Sequence, residues 1–521
     1  MRLAALLTLS GWLVIFFILK ATNPWPRLVN APRWIAERRG IVLAAVLGAG
    51  FAVTLVAVWA LRAFPNSADE YIYLYQARTY LAGRLWNPLP PHHHLFTFLH
   101  IFEKDGKWVG QYPPGWPAIL AAFGGLRLPF WIADPIVGVA LLWTLSRLGA
   151  RRAGPLGGII APLLMAFTPF FIFNAASYFT SAPTALAGAV FCLAAREFLD
   201  QPGKGNALIA GAALGVVGVI RTYDVFVFAI PFAIFFLLRG RRGHYLKAPL
   251  IGLAGVPFLI GLLLYQRAIT GSALTPVTRW GYPLLTLGFY PTDQFGHFTT
   301  PLQQIMIVPL NLIDLACFSS IILLVGYSAA LEWIARARRL EFTDLVFPCA
   351  LVAYLFIEGL GGNRYGPRYY FPAFPMMILT VTAAAVTMLE QAGIARRVML
   401  AETLIILHLF ACLVGLGAIA IFFRAVVDER MQIYDEVRAM KLHHAIVIVH
   451  SGGGHYAPFT PEDLTRNGLS VSNCNDIIYA RDVNGGVAEL RGMFPDRAIY
   501  IFARPRYDEP GTVKLLEPPL E

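Results

Sequence analysis

Two adjacent carboxylates, Asp69 and Glu70, stand in the run Asn66-Ser-Ala-Asp-Glu-Tyr-Ile-Tyr-Leu-Tyr-Gln76, a few residues after an apolar stretch. In a chain that is 57% hydrophobic and 14% charged, this places them at a membrane surface. A carboxylate there is costly to desolvate and suits a general base, and a second acid beside it can orient a substrate or bind a cation. The same residues also suit a helix N-terminus, with Ser67 or Asn66 as cap and the acids complementing the dipole. Their cationic counterparts are Arg221-Thr-Tyr-Asp224 and Arg364-Tyr-Gly-Pro-Arg-Tyr-Tyr370. An arginine fork matches phosphate oxygens, and neighbouring tyrosine hydroxyls add donors. Snorkelling is an alternative, as is pairing of Arg221 with Asp224 or Glu358.

Asp134, Asp314 and Glu358 fall inside apolar stretches, where an ionisable side chain is either functional or held by a structural hydrogen bond. His92-His-His94 reads as a solvated loop: three consecutive histidines do not easily ligate one ion, and no carboxylate stands at ligand spacing. His100 and His297 are further candidate metal ligands. Cys192, Cys317, Cys349 and Cys412 lie in apolar stretches and Cys474 stands alone, so no disulfide framework is expected. No Walker loop, Ser-His-Asp signature, CxxC pair or DNA-binding motif is present.

These residues must be positioned by membrane helices. The apolar share exceeds that of soluble domains and the charged share falls below it. Stretches long enough to cross a bilayer are 3–19, 41–63, 130–148, 155–173, 180–197, 205–221, 223–239, 248–266, 304–328, 344–360, 369–389 and 398–424, about twelve in all. The net charge of +11 does not point to nucleic acid, because the basic residues sit in short runs between spans. Alternate loops carry Lys20 to Arg39, Arg147 to Arg152, Arg196 and Lys204, Arg239 to Lys247, Arg336 to Arg339, and Arg396 with Arg397. Twelve spans put all of these on one side, which the positive-inside rule makes cytoplasmic. The outer side then receives loop 64–129, loop 267–303, the turn at 361–368 and the tail from 424 onward, and with them every candidate above except the mid-span acids.

Within loop 64–129, helical spacing predicts a helix over 69–83, and 115–126 reads as an interfacial helix, with Trp108 and Trp116 at headgroup level. The tail reads as a helix over 428–441, strands at 445–450, 477–480 and 498–503, and a helix over 486–494, which together suggest a small extracytoplasmic α/β domain. Ser451-Gly-Gly-Gly-His455 lacks the full dinucleotide fingerprint and reads as a loop. The expected division is therefore an extra N-terminal helix with its basic loop (1–40), a membrane domain (41–424) and the tail domain (425–521).

Five short motifs, in this order and on this side, resemble the polytopic GT-C glycosyltransferases, and among them the bacterial branch of the protein O-mannosyltransferase and aminoarabinose transferase superfamily. They are Ala68-Asp-Glu-Tyr71, Gln111-Tyr-Pro-Pro-Gly-Trp-Pro117, Ser177-Tyr-Phe-Thr-Ser-Ala-Pro183, Arg221-Thr-Tyr-Asp224 and Tyr365-Gly-Pro-Arg-Tyr-Tyr370. The resemblance spans about 41–424. It implies a GT-C fold and inverting transfer of a monosaccharide from a polyprenyl-phosphate donor to a lipid, glycan or protein acceptor, on the outer face of a bacterial inner membrane. It implies Asp69 as base with Glu70 beside it. Arg368 and Tyr370, with Arg364 and Tyr369, would hold the lipid phosphate, and Arg221 would be a second cation. Tyr71, Gln111, Tyr112, Ser177, Tyr178, Tyr223, Asp224 and Glu358 would line the substrate pocket. No cofactor is required; a divalent cation is compatible with the scheme. The chain departs from the family at 3–19, an added span, and at Thr180 and Ser181, where a charged residue or histidine is common. The rival class is an ion-coupled transporter or lipid flippase, but such proteins place charges near the midplane in repeated halves, and no repeat is evident here.

Overall fold

The computed structural model describes residues 39–293, 296–357, 362, 364–390, 395–450, 464–472, 475–504 and 510–519. The predicted span 3–19, Glu358, the glycine run 451–455 and Cys474 lie outside them.

Helix α1 (Arg39–Leu55) runs into a π turn, Val56–Ala60, and the chain emerges at Asn66. Helix α2 (Ala68–Leu81) begins at the acidic pair, as its cap predicts, followed by a three-stranded sheet of β1 (Asn87–Pro88), β2 (Ile101–Lys104) and β3 (Lys107–Gly110). Strands β2 and β3 form a hairpin on Asp105-Gly106, both at positive φ, the backbone a two-residue turn needs. The interfacial segment is helical over α3 (Gly115–Gly125).

Helix α4 (Ala133–Ala166) is two helices joined at Ala153 and Gly154, folded back on each other. Gly149 and Gly157 let them touch: a Cβ built on Gly149 would lie 2.2 Å from the Gly157 carbonyl oxygen. The chain continues through α5 (Pro169–Ala176), capped by Thr168, so the predicted span 130–148 is helical from Ala133 on and 155–173 is helical with a break at Phe167-Thr168. Helices α6 (Ser181–Asp200), α7 (Lys204–Ile220), α8 (Asp224–Arg239) and α9 (Pro249–Thr270) follow, then a short α10 (Val277–Gly281).

The predicted span 304–328 is not one helix. It breaks at Ser319-Ser320 into α11 (Pro301–Phe318) and α12 (Ile321–Arg336). Ser320 caps α12, and His408 from a later helix meets the Ser320 hydroxyl at 2.6 Å, so the break is hydrogen-bonded where lipid offers no partner. Helices α13 (Val346–Ala353), α14 (Phe374–Glu390) and α15 (Ala395–Ala439) complete the bundle. The polar helix expected at 428–441 is not separate but is the far end of α15, a single helix of 45 residues. Among the described residues, seven helices are long and apolar enough to cross a membrane.

Four of the basic loops meet at one end among the described residues. Arg152 pairs with Asp344 at 2.8 Å and with Glu341, Arg196 bonds Glu341 at 3.0 Å, and Arg239 donates to the Leu340 carbonyl at 3.0 Å. The tail sheet has the order β5-β4-β6-β7, built from β4 (Ala445–Val449), β5 (Ile477–Arg481), β6 (Ala498–Ala503) and β7 (Thr512–Glu517), with α16 (Gly486–Met493) between β5 and β6. The first three strands are parallel and β7, which was not expected, is antiparallel. Ile446, Ile478 and Ile499 share a core with Tyr71, Tyr75, Phe96 and Trp108, so the sheet is seated on α2 and its loop.

Candidate active site

The first turn of α2 sends its two acids in different directions, because successive helical residues point about 100° apart. Glu70 turns inward. Its Oε1 accepts the Tyr178 backbone N–H at 3.1 Å and its Oε2 the Ser67 hydroxyl at 3.1 Å, while Ser67 Oγ accepts the Glu70 N–H at 3.2 Å. Burial raises its proton affinity, and the bonds from Tyr178 and Ser67 offset this only in part.

Asp69 lies on the face of α2 that it shares with Tyr73. Its Oδ2 accepts Arg368 Nη2 at 2.6 Å, its Oδ1 accepts the Tyr112 hydroxyl, and His100 Nε2 lies 3.5 Å from Oδ1. Burial favours the protonated acid, but the guanidinium of Arg368, then His100 and Arg364, outweigh it and hold the Asp69 carboxyl below its ordinary range. The described acid is thus an anion matched to a cation. Tyr73, one turn on, packs its ring 4.5 Å from that of Tyr112.

Arg368 is fixed on three sides. Its Nε donates to the Gly362 carbonyl at 2.8 Å, its Nη2 to Asp69, and its plane lies 4.0 Å from the Phe179 ring centre. Gly362, at φ +67°, leaves room for it: a Cβ there would meet Arg368 Nε at 2.8 Å. Arg221 comes from the α7–α8 junction. It pairs with Asp224 at 2.9 Å and donates to the Tyr354 hydroxyl at 2.7 Å, which in turn donates to Asp224 at 2.6 Å. The Tyr354 ring stacks on that of Tyr369 at 5.3 Å. Arg221 and Arg368 both lie over the Tyr369 ring, each paired with its own carboxylate.

The other expected residues divide. Tyr112 joins the cluster directly. Gln111 is next to it, its carbonyl accepting Thr278 Oγ1 at 3.0 Å. Ser177 and Tyr178 shape the junction that receives Glu70, and the Tyr178 hydroxyl bonds the Ala63 carbonyl at 2.8 Å. Tyr223 donates to the Ala353 carbonyl at 2.6 Å and braces Arg221's neighbourhood. Tyr370 points into the bundle, its hydroxyl accepting Asn311 Nδ2 at 3.3 Å, and Tyr71 lies on the opposite face of α2, bonded to the Asn467 carbonyl at 2.7 Å. Asp134 is fully buried at the start of α4, and Asp314 lies within α11. His92 and His94 are not a free loop: both meet Glu489 of α16, at 2.7 and 3.1 Å. His297 pairs with Asp293 at 3.0 Å. Among the described residues no group of three metal-ligating side chains forms. Tyr354 carries no sign in sequence beyond being a polar-tipped ring in an apolar stretch.

No protein-family model matches the chain, and no curated protein matches it in sequence. Solved structures do. ArnT from Cupriavidus metallidurans, bound to undecaprenyl phosphate, superposes with a TM-score of 0.54 at 10% identity, over 88% of this chain and 93% of that one. Its apo state gives 0.52 at 10% identity, over 87% and 92%. The Archaeoglobus fulgidus oligosaccharyltransferase in the apo form gives 0.49 at 11% identity over 83% of this chain, which spans 65% of that longer protein. The fold is GT-C-like, as the motifs imply.

Proposed function

We propose that this chain is an inverting membrane glycosyltransferase that moves a monosaccharide from a polyprenyl-phosphate donor to an acceptor hydroxyl on the outer face of the cytoplasmic membrane. The observation that carries it is the 2.6 Å contact between Asp69 and Arg368, with Arg221 on the same tyrosine as Arg368. A base and a phosphate-binding cation are the two parts this transfer needs. The GT-C-like fold supports the reading, as does the undecaprenyl phosphate held by the similar ArnT structure. So does the gathering of four of the basic loops at the end of the bundle away from Asp69. Residues 41–424 would be the catalytic membrane unit, 1–40 an added helix and loop, and 425–521 an extracytoplasmic unit.

In this mechanism Asp69 and Arg368 neutralise each other before the donor binds. The donor phosphate competes for Arg368, and as the guanidinium turns to phosphate oxygens, Asp69 loses its strongest counter-charge and becomes more basic. The carboxylate then takes the acceptor hydroxyl proton as that oxygen bonds the anomeric carbon. The bond from that carbon to the phosphate oxygen breaks, and the released negative charge falls between Arg368 and Arg221. A single displacement inverts the anomeric centre. The test is turnover, in nanodiscs, of a panel of labelled undecaprenyl-phosphate monosaccharides. Label leaving the lipid in wild type but not in Asp69→Asn supports the reading. Label that stays on the lipid yet crosses vesicle bilayers would instead identify a flippase.

A further inference from the structure

Helix α2 has two working faces. Asp69, Tyr73, Gln76 and Tyr80 share one, and Tyr71, Leu74 and Arg78 the opposite one. Behind that second face lies a cavity of 300 Å³, lined also by Phe64, Tyr178, Tyr434 and Arg466. A second cavity of 530 Å³ adjoins it, shares Phe64 and Tyr434, and runs between α15 and strand β5 past Arg438, Lys441 and Tyr479.

We infer that the two cavities form one groove that binds an anionic glycan on the side of α2 away from Asp69. The inference goes beyond the glycosyltransferase reading and rests on the groove alone. Three tyrosines are anchored by their hydroxyls: Tyr71 on the Asn467 carbonyl at 2.7 Å, Tyr178 on that of Ala63 at 2.8 Å, and Tyr434 on that of Leu464 at 2.7 Å. Tyr71 and Tyr178 are buried and wall the groove, while the half-buried rings of Phe64, Tyr434 and Tyr479 present flat apolar surface that suits the C–H faces of sugar rings. The Tyr434 ring further packs against Phe64 at 5.9 Å and Tyr479 at 5.1 Å, which makes the aromatic lining continuous.

The charge is one-sided. Arg78, Arg466, Arg438 and Lys441 line the groove against a single carboxylate, Asp476, which already faces His443 at 2.9 Å. Arg438 is matched by Asp435 outside the lining, whereas Arg78 and Lys441 form no ion pair among the described residues. This asymmetry selects an anion.

Two other occupants fit less well. A lipid headgroup would meet only the near end, at Phe64 and Phe130, because the α15 wall from Met431 to Arg438 lies about 10 to 21 Å beyond residue 424 at 1.5 Å per residue. A peptide adding to the sheet edge is blocked at β5. The Asn467 side chain already accepts the Tyr479 N–H at 2.9 Å and donates to its carbonyl at 2.8 Å, in the place a strand would take.

The test is titration of the full chain in nanodiscs with hexagalacturonate, maltohexaose and hexaglutamate. Hexagalacturonate should bind saturably, and about tenfold more weakly to Arg78→Gln/Lys441→Gln, a screened-charge effect. Tyr479→Ala should weaken it likewise, and maltohexaose should bind more weakly than hexagalacturonate to wild type. The two cation positions are exposed, so unchanged undecaprenyl phosphate binding certifies the variant's fold. Absent saturable binding, equal binding by the double variant, or hexaglutamate binding as tightly as hexagalacturonate would each overturn the inference. Donor turnover is scored separately: binding with no turnover keeps the groove and removes the transferase reading, and turnover with no binding does the reverse.

Discussion

Arg221 and Arg368 hold their guanidinium carbons 5.2 and 5.5 Å from the ring centre of the same residue, Tyr369. They come from segments almost 150 residues apart, and each is tethered by its own carboxylate, Asp224 and Asp69. The difference lies in the tether. Asp224 is buried and shared with Tyr354, so Arg221 is the fixed cation. Asp69 also serves Tyr112 and His100, so Arg368 is the one with an exchangeable partner.

Asp69→Asn separates base from binding. Transfer should fall by roughly 100- to 10,000-fold, the usual share of a general base. Undecaprenyl phosphate should bind as tightly or more tightly, because Arg368 no longer has an anion to leave. Fluorescence titration alongside turnover checks both, and parallel loss of binding would argue against the exchange.

Arg368→Gln should cost about 100- to 1,000-fold in transfer, as removal of a charge-stabilising donor does. It should also move the pH profile. In wild type the free-enzyme Asp69 titrates below an ordinary aspartate, so kcat/KM keeps its base ionised throughout the neutral range and loses it only in strong acid. With the largest opposing charge removed, burial dominates and the acid limb shifts to higher pH. A limb that stays in place would show that Arg368 does not set the ionisation of Asp69.

Tyr354→Phe removes the hydroxyl that accepts Arg221 and donates to Asp224. A lost hydrogen bond of about 1 kcal/mol corresponds to roughly a fivefold effect. It should fall on donor KM, with kcat nearly preserved, because the residue orients a cation and does not meet the reacting carbon.

Glu70 is predicted to act through the helix start. Glu70→Gln keeps an oxygen for the Tyr178 N–H and should retain most activity. Glu70→Ala leaves that buried N–H unmatched, at about 1–3 kcal/mol, and should lower Tm. Equal and complete loss of transfer in both, with stability unchanged, would instead make Glu70 a direct participant.

Orientation is testable without substrate. Cysteines placed at Lys441 and at Arg338, both exposed, should differ in intact cells. An impermeant maleimide should label the first and spare the second, and the opposite pattern would reverse the proposed outer face.

That Arg221 and Arg368 each have a carboxylate partner is legible, because both sit against the orienting charge bias. The partner's identity was half legible: Arg221 with Asp224 at i+3 is readable, whereas Arg368 with Asp69 depends on how distant spans pack. Tyr354 was not legible, since one hydroxyl in an apolar stretch has no period. The Asp105-Gly106 hairpin has its own turn signature inside a long loop. The break at Ser319-Ser320 was hidden by hydropathy, which counts apolar residues but not the caps that stop a helix. The merging of 398–424 with 428–441 was hidden for the converse reason, that polarity changes along a helix without ending it.

That uninterrupted helix has a mechanical meaning. At 1.5 Å per residue, α15's 45 residues reach about 68 Å, against roughly 40–45 Å for a bilayer with its headgroups. A rod of that length anchored in lipid and bearing the tail sheet is a lever. The sheet packs on this rod through Ile433 and Val437 and on α2 through Tyr71 and Tyr75, so rod, sheet and the helix that bears Asp69 are joined by continuous packing.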